Sequence, residues 1–149
     1  MSAIPPRLNV VTLGAHDIAA LRGFYRALGW TTTSKAEDFA AFPLGGAVLC
    51  LYDIRSLAAE AGGAEPPAPA PADAGFKGFS LSVNVEEREQ VDTCLAAARE
   101  AGATVLAEPV DREWGGASAY FADPEGNTWE IAWLPEGRFD ERGGLVWPY

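Results

Sequence analysis

Apolar positions along the first half of the chain change period several times, and each change marks an element. Residues 7–13 (RLNVVTL) read as a strand, and Asp17 is placed to cap a helix over residues 18–28. Leu21, Phe24, Tyr25 and Leu28 recur at spacings of three and four, which gives that helix one apolar stripe. Gly29 ends it. Residues 30–34 and 39–44 then read as strands, and Gly45-Gly46 turns the chain tightly into a further strand over residues 47–53.

The second half repeats the order. Residues 79–85 read as a strand and residues 86–100 as a helix with Val91, Leu95 and Ala98 on its apolar side, closed by Gly102. Strands follow at residues 104–110 and 117–121. Asp123-Pro124-Glu125-Gly126-Asn127 is a strong turn signal, with proline at its second position, and leads into a last strand over residues 128–133. The pattern is two consecutive βαβββ units: module one at 7–60 and module two at 76–134. Between them residues 61–75 (AGGAEPPAPAPADAG) can neither continue a helix nor join a sheet, and so read as an extended linker. The tail, 135–149, ends in Leu145, Val146, Trp147 and Tyr149, which are expected to dock on the domain or on a second subunit.

Composition narrows the function classes. At 149 residues and 48% hydrophobic the chain can bury one core and is not of the disordered class. Its formal net charge of -10 argues against nucleic acid and against an anionic membrane surface, both of which select clustered Lys and Arg. A neutral, cationic or zwitterionic small ligand suits the charge better. Cys50 and Cys94 could form one disulfide by count, but one reads as mid-strand and the other as mid-helix, which favours two reduced thiols. With no basic, then apolar, leader and no apolar run near the length of a span, the expected location is cytoplasmic.

Two stretches carry a family resemblance. VTLGAHDIAALRGFYRALGW resembles the first strand and helix of the glyoxalase, bleomycin-resistance and extradiol dioxygenase superfamily (the vicinal oxygen chelate proteins), and YFADPEGNTWEIAW resembles the hairpin and final strand of its second module. The resemblance implies an α+β fold of two βαβββ modules, forming curved mixed sheets with a ligand cup, in a single domain. It also implies four metal positions, and these fall on Val10, Cys50, Ser80 and Glu130. A catalytic divalent site needs about three protein ligands of His or carboxylate type. Glu130 alone does not supply them, so the expectation is no metal and no cofactor. The sole histidine, His16, reads as a surface turn residue.

Strand alternation views the same positions independently. Val11, Leu13, Leu49, Leu51, Leu81, Val83, Trp129, Ile131 and Trp133 share a bulky apolar parity suited to packing against helices. The opposite parity holds Val10, Thr12, Gly14, Val48, Cys50, Tyr52, Ser80, Ser82, Asn84, Thr128, Glu130 and Ala132. Plain solvent exposure explains such a face as well as a cup does; the resemblance selects the cup. The candidate ligand-binding residues on that face are Thr12, Cys50, Tyr52, Ser80, Ser82, Asn84 and Glu130, with Trp114, in a loop just before a strand, and Tyr120 as aromatic walls, and with Glu130 the one catalytic candidate. Two functions follow. One is a metal-free binder of a small organic ligand, cationic or aromatic, acting as a homodimer. The other is a lyase or isomerase of the same superfamily, with Glu130 as base or a divalent metal bound elsewhere.

Overall fold

The computed structural model describes residues 4–148; Tyr149, expected to dock with the tail, lies outside them. Strand β1 (Val10–Ala15) runs into helix α1 (Ile18–Ala27), whose first turn is capped by Asp17 accepting from the Ala20 N–H at 2.9 Å. Of the predicted stripe, Leu21, Phe24 and Tyr25 face inward together with Ile18, while Leu28 is the half-buried C-cap. Strands β2 (Phe39–Pro43) and β3 (Val48–Asp53) follow, and the sheet order is β1-β3-β2, with β1 parallel and β2 antiparallel to β3.

The strand expected at residues 30–34 does not form. Trp30 turns inward and stacks on Tyr25, with ring centroids 5.3 Å apart. Beyond it the hydroxyl-rich stretch bonds locally: the Ser34 N–H donates to the Thr32 hydroxyl, and the Ser34 hydroxyl and the Arg22 guanidinium both donate to the Phe39 carbonyl. Such side-chain partners compete with a ladder for the backbone. Helix α2 (Ile54–Glu60) was not anticipated. Asp53 caps it by accepting from the N–H and hydroxyl of Ser56, and those bonds hold its carboxyl below the usual value. Its Ile54 sits against Gly14, where any Cβ would lie 2.8 Å from Ile54 Cγ1.

Module two comprises β4 (Leu81–Val85), α3 (Gln90–Glu100), β5 (Thr104–Asp111), β6 (Ala117–Ala122) and β7 (Thr128–Trp133), in sheet order β4-β7-β6-β5. Helix α3 starts four residues later than the pattern suggests. Gln90 accepts from the Glu87 N–H, and Arg88 is tied to Asp92 and to Asp111 at the end of β5, so the segment before Gln90 is a turn. Residues 61–75 hold no helix or strand. The tail forms a short hairpin, β8 (Arg138–Phe139) with β9 (Leu145–Val146).

One hydrophobic cluster joins the modules, and the apolar parity of both sheets contributes to it. Helix α1 is the bridge. Phe24 meets Phe121, and Tyr25 meets Trp129 edge-on at 5.9 Å. Asp123, wholly buried, accepts from the Tyr25 hydroxyl at 2.5 Å, from the N–H groups of Glu125 and Asn127, and from the Asn127 amide; Trp129 Nε1 donates to the Tyr25 oxygen. Burial pushes the Asp123 carboxyl up, and the hydrogen bonds it accepts oppose that shift. Burial likewise raises the Tyr25 phenol, with the nearby Asp123 charge adding to it. Glu125 accepts from the N–H groups of His16 and Asp17, so the same turn also satisfies the open end of α1. Because both apolar faces end in this core, each polar face points away from it. No helix among the described residues is long and apolar enough to cross a membrane.

Candidate functional site

The chemistry collects on the polar face of the second sheet. Register places Ser82 of β4 and Tyr120 of β6 on either side of Glu130 in β7. All three side chains therefore stand in one row across three strands. The Ser82 hydroxyl donates to Glu130 Oε1 at 2.7 Å and the Tyr120 hydroxyl to Oε2 at 2.6 Å. Both carboxylate oxygens are thus oriented from the flanks. The bond to Glu130 raises the Tyr120 phenol above its ordinary value, so Tyr120 is a neutral donor at physiological pH.

Two grooves lie on this face. One, of about 350 Å³, is lined by Ser82, Asn84, Glu130 and Ala132 on its floor and by Trp114, Leu134, Leu145 and Trp147 around it. Trp114 is 51% and Trp147 67% exposed, so two large indole faces are presented beside one carboxylate. The turn holding Trp114 depends on Gly116: a Cβ there would lie 1.9 Å from the Trp114 ring and 2.2 Å from the Trp133 carbonyl oxygen. The other groove, of about 440 Å³, is lined by Ser80, Tyr120, Thr128 and Leu106 and walled by the linker residue Ala72 and by Phe76 just after the linker. The Tyr120–Glu130 hydrogen bond stands between the two.

The structure thus brings Ser82, Asn84, Trp114, Tyr120 and Glu130 together and leaves Ser80 in the neighbouring groove. Thr12, Cys50 and Tyr52 lie on the first sheet, apart from that groove within the chain. Cys50 is buried at 7% exposure with its thiol pushed up by burial, and the Tyr52 hydroxyl is engaged with Glu60 at 2.7 Å. Both cysteines are free thiols. His16 is an exposed turn residue. Leu134 and Arg112 were not singled out from the sequence, and Leu145 and Trp147 were expected to dock with the tail rather than to border this groove. Arg112 donates from Nε to Ser118 Oγ at 2.7 Å, and its guanidinium carbon lies 5.8 Å from the Tyr120 ring centroid. Its only sequence signal is its place in a turn between strands.

The fold and site define a two-module α+β protein with a polar groove on a curved sheet. Residues 7–131 match the Glyoxalase/Bleomycin resistance protein/Dioxygenase superfamily model, and the chain belongs to that family. Among solved structures it is similar to a glyoxalase-related enzyme from Fulvimarina pelagi, at 26% identity and a TM-score of 0.85, covering 97% of this chain and 99% of that one. It is also similar to a glyoxalase/bleomycin resistance protein/dioxygenase from Nocardioides, at 26% identity and a TM-score of 0.72, covering 98% and 93%. Its fold is shared with a lactoylglutathione lyase from Agrobacterium tumefaciens, at 22% identity and a TM-score of 0.65, covering 87% and 95%. No curated protein matches the sequence.

The metal positions implied by the family do not suit a divalent ion here. Val10 and Cys50 stand on the first sheet, and Ser80 and Glu130 belong to the second module. Val10 has no donor atom, and both oxygens of Glu130 already accept hydroxyl protons. Among the described residues no three His, Cys, Asp or Glu side chains are grouped to hold a metal. The donor set does not fit.

Proposed function

We propose that the protein binds a small organic cation, without a metal, in the groove over Glu130. The observation that carries this reading is one carboxylate, fixed by two hydroxyls, on the floor of a groove bordered by two exposed tryptophans. Indole faces attract cations through their quadrupole, by about 0.5–2 kcal/mol each. A carboxylate held in position needs no reordering when the cation arrives. The net charge of -10 supports the same sign of ligand.

The expected result is saturable quenching of tryptophan fluorescence by phenethyltrimethylammonium, with little response to the neutral isostere in which carbon replaces nitrogen. Equal responses to both would remove charge recognition from the account.

A second copy of the chain completes the reading. β1 and β4 lie at sheet edges, and each polar face is open on the side away from the core. Exposed Trp147, Trp114 and Val10 add apolar surface to cover. The purified protein should weigh near twice 15.8 kDa by light scattering and carry well under one transition-metal ion per chain. A mass near 15.8 kDa contradicts the dimer, and one Zn, Ni, Fe or Mn per chain contradicts the metal-free site.

A further inference from the structure

We infer that Arg112 is a second recognition group on the same face, taking an anionic oxygen of the ligand, so that the preferred ligand is dipolar: an organic cation that also carries a carboxylate or similar acid. The inference rests on the cation-binding reading of the Glu130 groove and deepens it.

Arg112 is held from several sides. Its backbone N–H donates to the Gly116 carbonyl at 2.8 Å, and its carbonyl accepts from the Gly115 N–H at 3.0 Å, closing the turn between β5 and β6. Its Nε donates to the hydroxyl of Ser118, a residue only 1% exposed. Ser118 and Tyr120 are two apart on β6 and so share a face, and Tyr120 is the register partner of Glu130. The guanidinium thus lies on the groove's face of the sheet, against the Tyr120 ring whose hydroxyl holds the carboxylate. Trp114, two residues on in the same turn, lines the groove itself.

What Arg112 lacks is an acid. Arg88 pairs with Asp92 and Asp111, and Arg99 with Glu108, but among the described residues no carboxylate pairs with Arg112. The chain has 21 acidic residues against 11 basic ones, so this is not for want of carboxylates. With Nε committed to Ser118, the two terminal nitrogens remain, in the fork geometry that suits a carboxylate. A fixed cation and a fixed anion with an aromatic ring between them are complementary to a ligand with the opposite charges at its two ends.

Two probes that differ only by a carboxylate test this: phenethyltrimethylammonium and N,N,N-trimethylphenylalanine, titrated calorimetrically into the wild-type protein, Arg112→Gln and Arg112→Lys. The wild type should bind the dipolar probe about 10-fold more tightly or better, the order expected for one charge-assisted hydrogen-bonding contact. Arg112→Gln should erase that advantage, so that the two probes bind the variant alike, while Arg112→Lys restores part of it. Equal wild-type affinities for the two probes, or an Arg112→Gln loss equal for both, would overturn the role of Arg112 and leave the cation reading standing. If the wild type binds neither probe, the cation reading falls and this inference with it. The wild-type comparison needs no variant, so a misfolded substitution does not shield the proposal.

Discussion

Asp123→Ala should lower the stability of the folded protein by about 3–5 kcal/mol, the order seen when one partner of a buried polar network is removed. The carboxylate is wholly buried and accepts from the Tyr25 hydroxyl, the Asn127 amide and the N–H groups of Glu125 and Asn127. Alanine leaves these donors without their acceptor in a site closed to water, and each unsatisfied buried donor costs about 1–3 kcal/mol. The losses are not additive because the donors share one network. The damage also crosses the module boundary, since Tyr25 belongs to α1 and Asp123 to the turn before β7. Urea denaturation of wild type and variant reads the difference directly. A loss below about 0.5 kcal/mol, within the range of an ordinary surface substitution, would mean that this network does not join the modules.

Glu130→Gln should do the reverse: fold retained, ligand lost. The amide keeps the shape and can still accept a hydroxyl proton on its oxygen. On the nitrogen side it turns a donor toward Ser82 or Tyr120, whose hydroxyls can rotate. Glu130 is half-buried, so a stability change of only about 1 kcal/mol is expected. Removing the one charge on the groove floor should weaken phenethyltrimethylammonium by about 10-fold or more, the scale of a charge-assisted contact in a partly desolvated site. Unchanged affinity with reduced stability would make Glu130 a structural residue and return the search to Asn84 and the tryptophans.

Strand alternation separated the two faces in part, because a residue's side of a sheet depends on its parity but its burial also depends on what packs on that side. Leu13, Leu49, Leu51, Trp129 and Ile131 are all buried and Thr12 and Ser82 exposed, yet Cys50, Thr128 and Ala132 of the opposite parity are buried as well. The turn at residues 123–127 was also legible, since its residue types satisfy backbone demands within five positions. Its larger role was not. Nothing local tells that Asp123 reaches Tyr25 or that Glu125 caps α1, because both depend on how the modules pack. The same reason hid Arg112, whose meaning comes from Ser118 and Tyr120 across a hairpin. The missing strand at residues 30–34 failed differently: a β-prone threonine run was outweighed by its own hydroxyls and by the inward turn of Trp30. Pairing register, not spacing, made Ser82 rather than Ser80 the partner of Glu130.

The central claim is that the ligand sits over Glu130 between Trp114 and Trp147, and indole N–H resonances report on it directly. The chain has five tryptophans, two of which, Trp30 and Trp129, pack against Tyr25 in the core. Each signal can be assigned by a single Trp→Phe substitution. Titration with phenethyltrimethylammonium should shift the Trp114 and Trp147 indole signals along one saturating curve and leave those of Trp30 and Trp129 in place. Shifts confined to Trp30 and Trp129, or saturable binding that moves neither Trp114 nor Trp147, would place the ligand elsewhere and contradict the account.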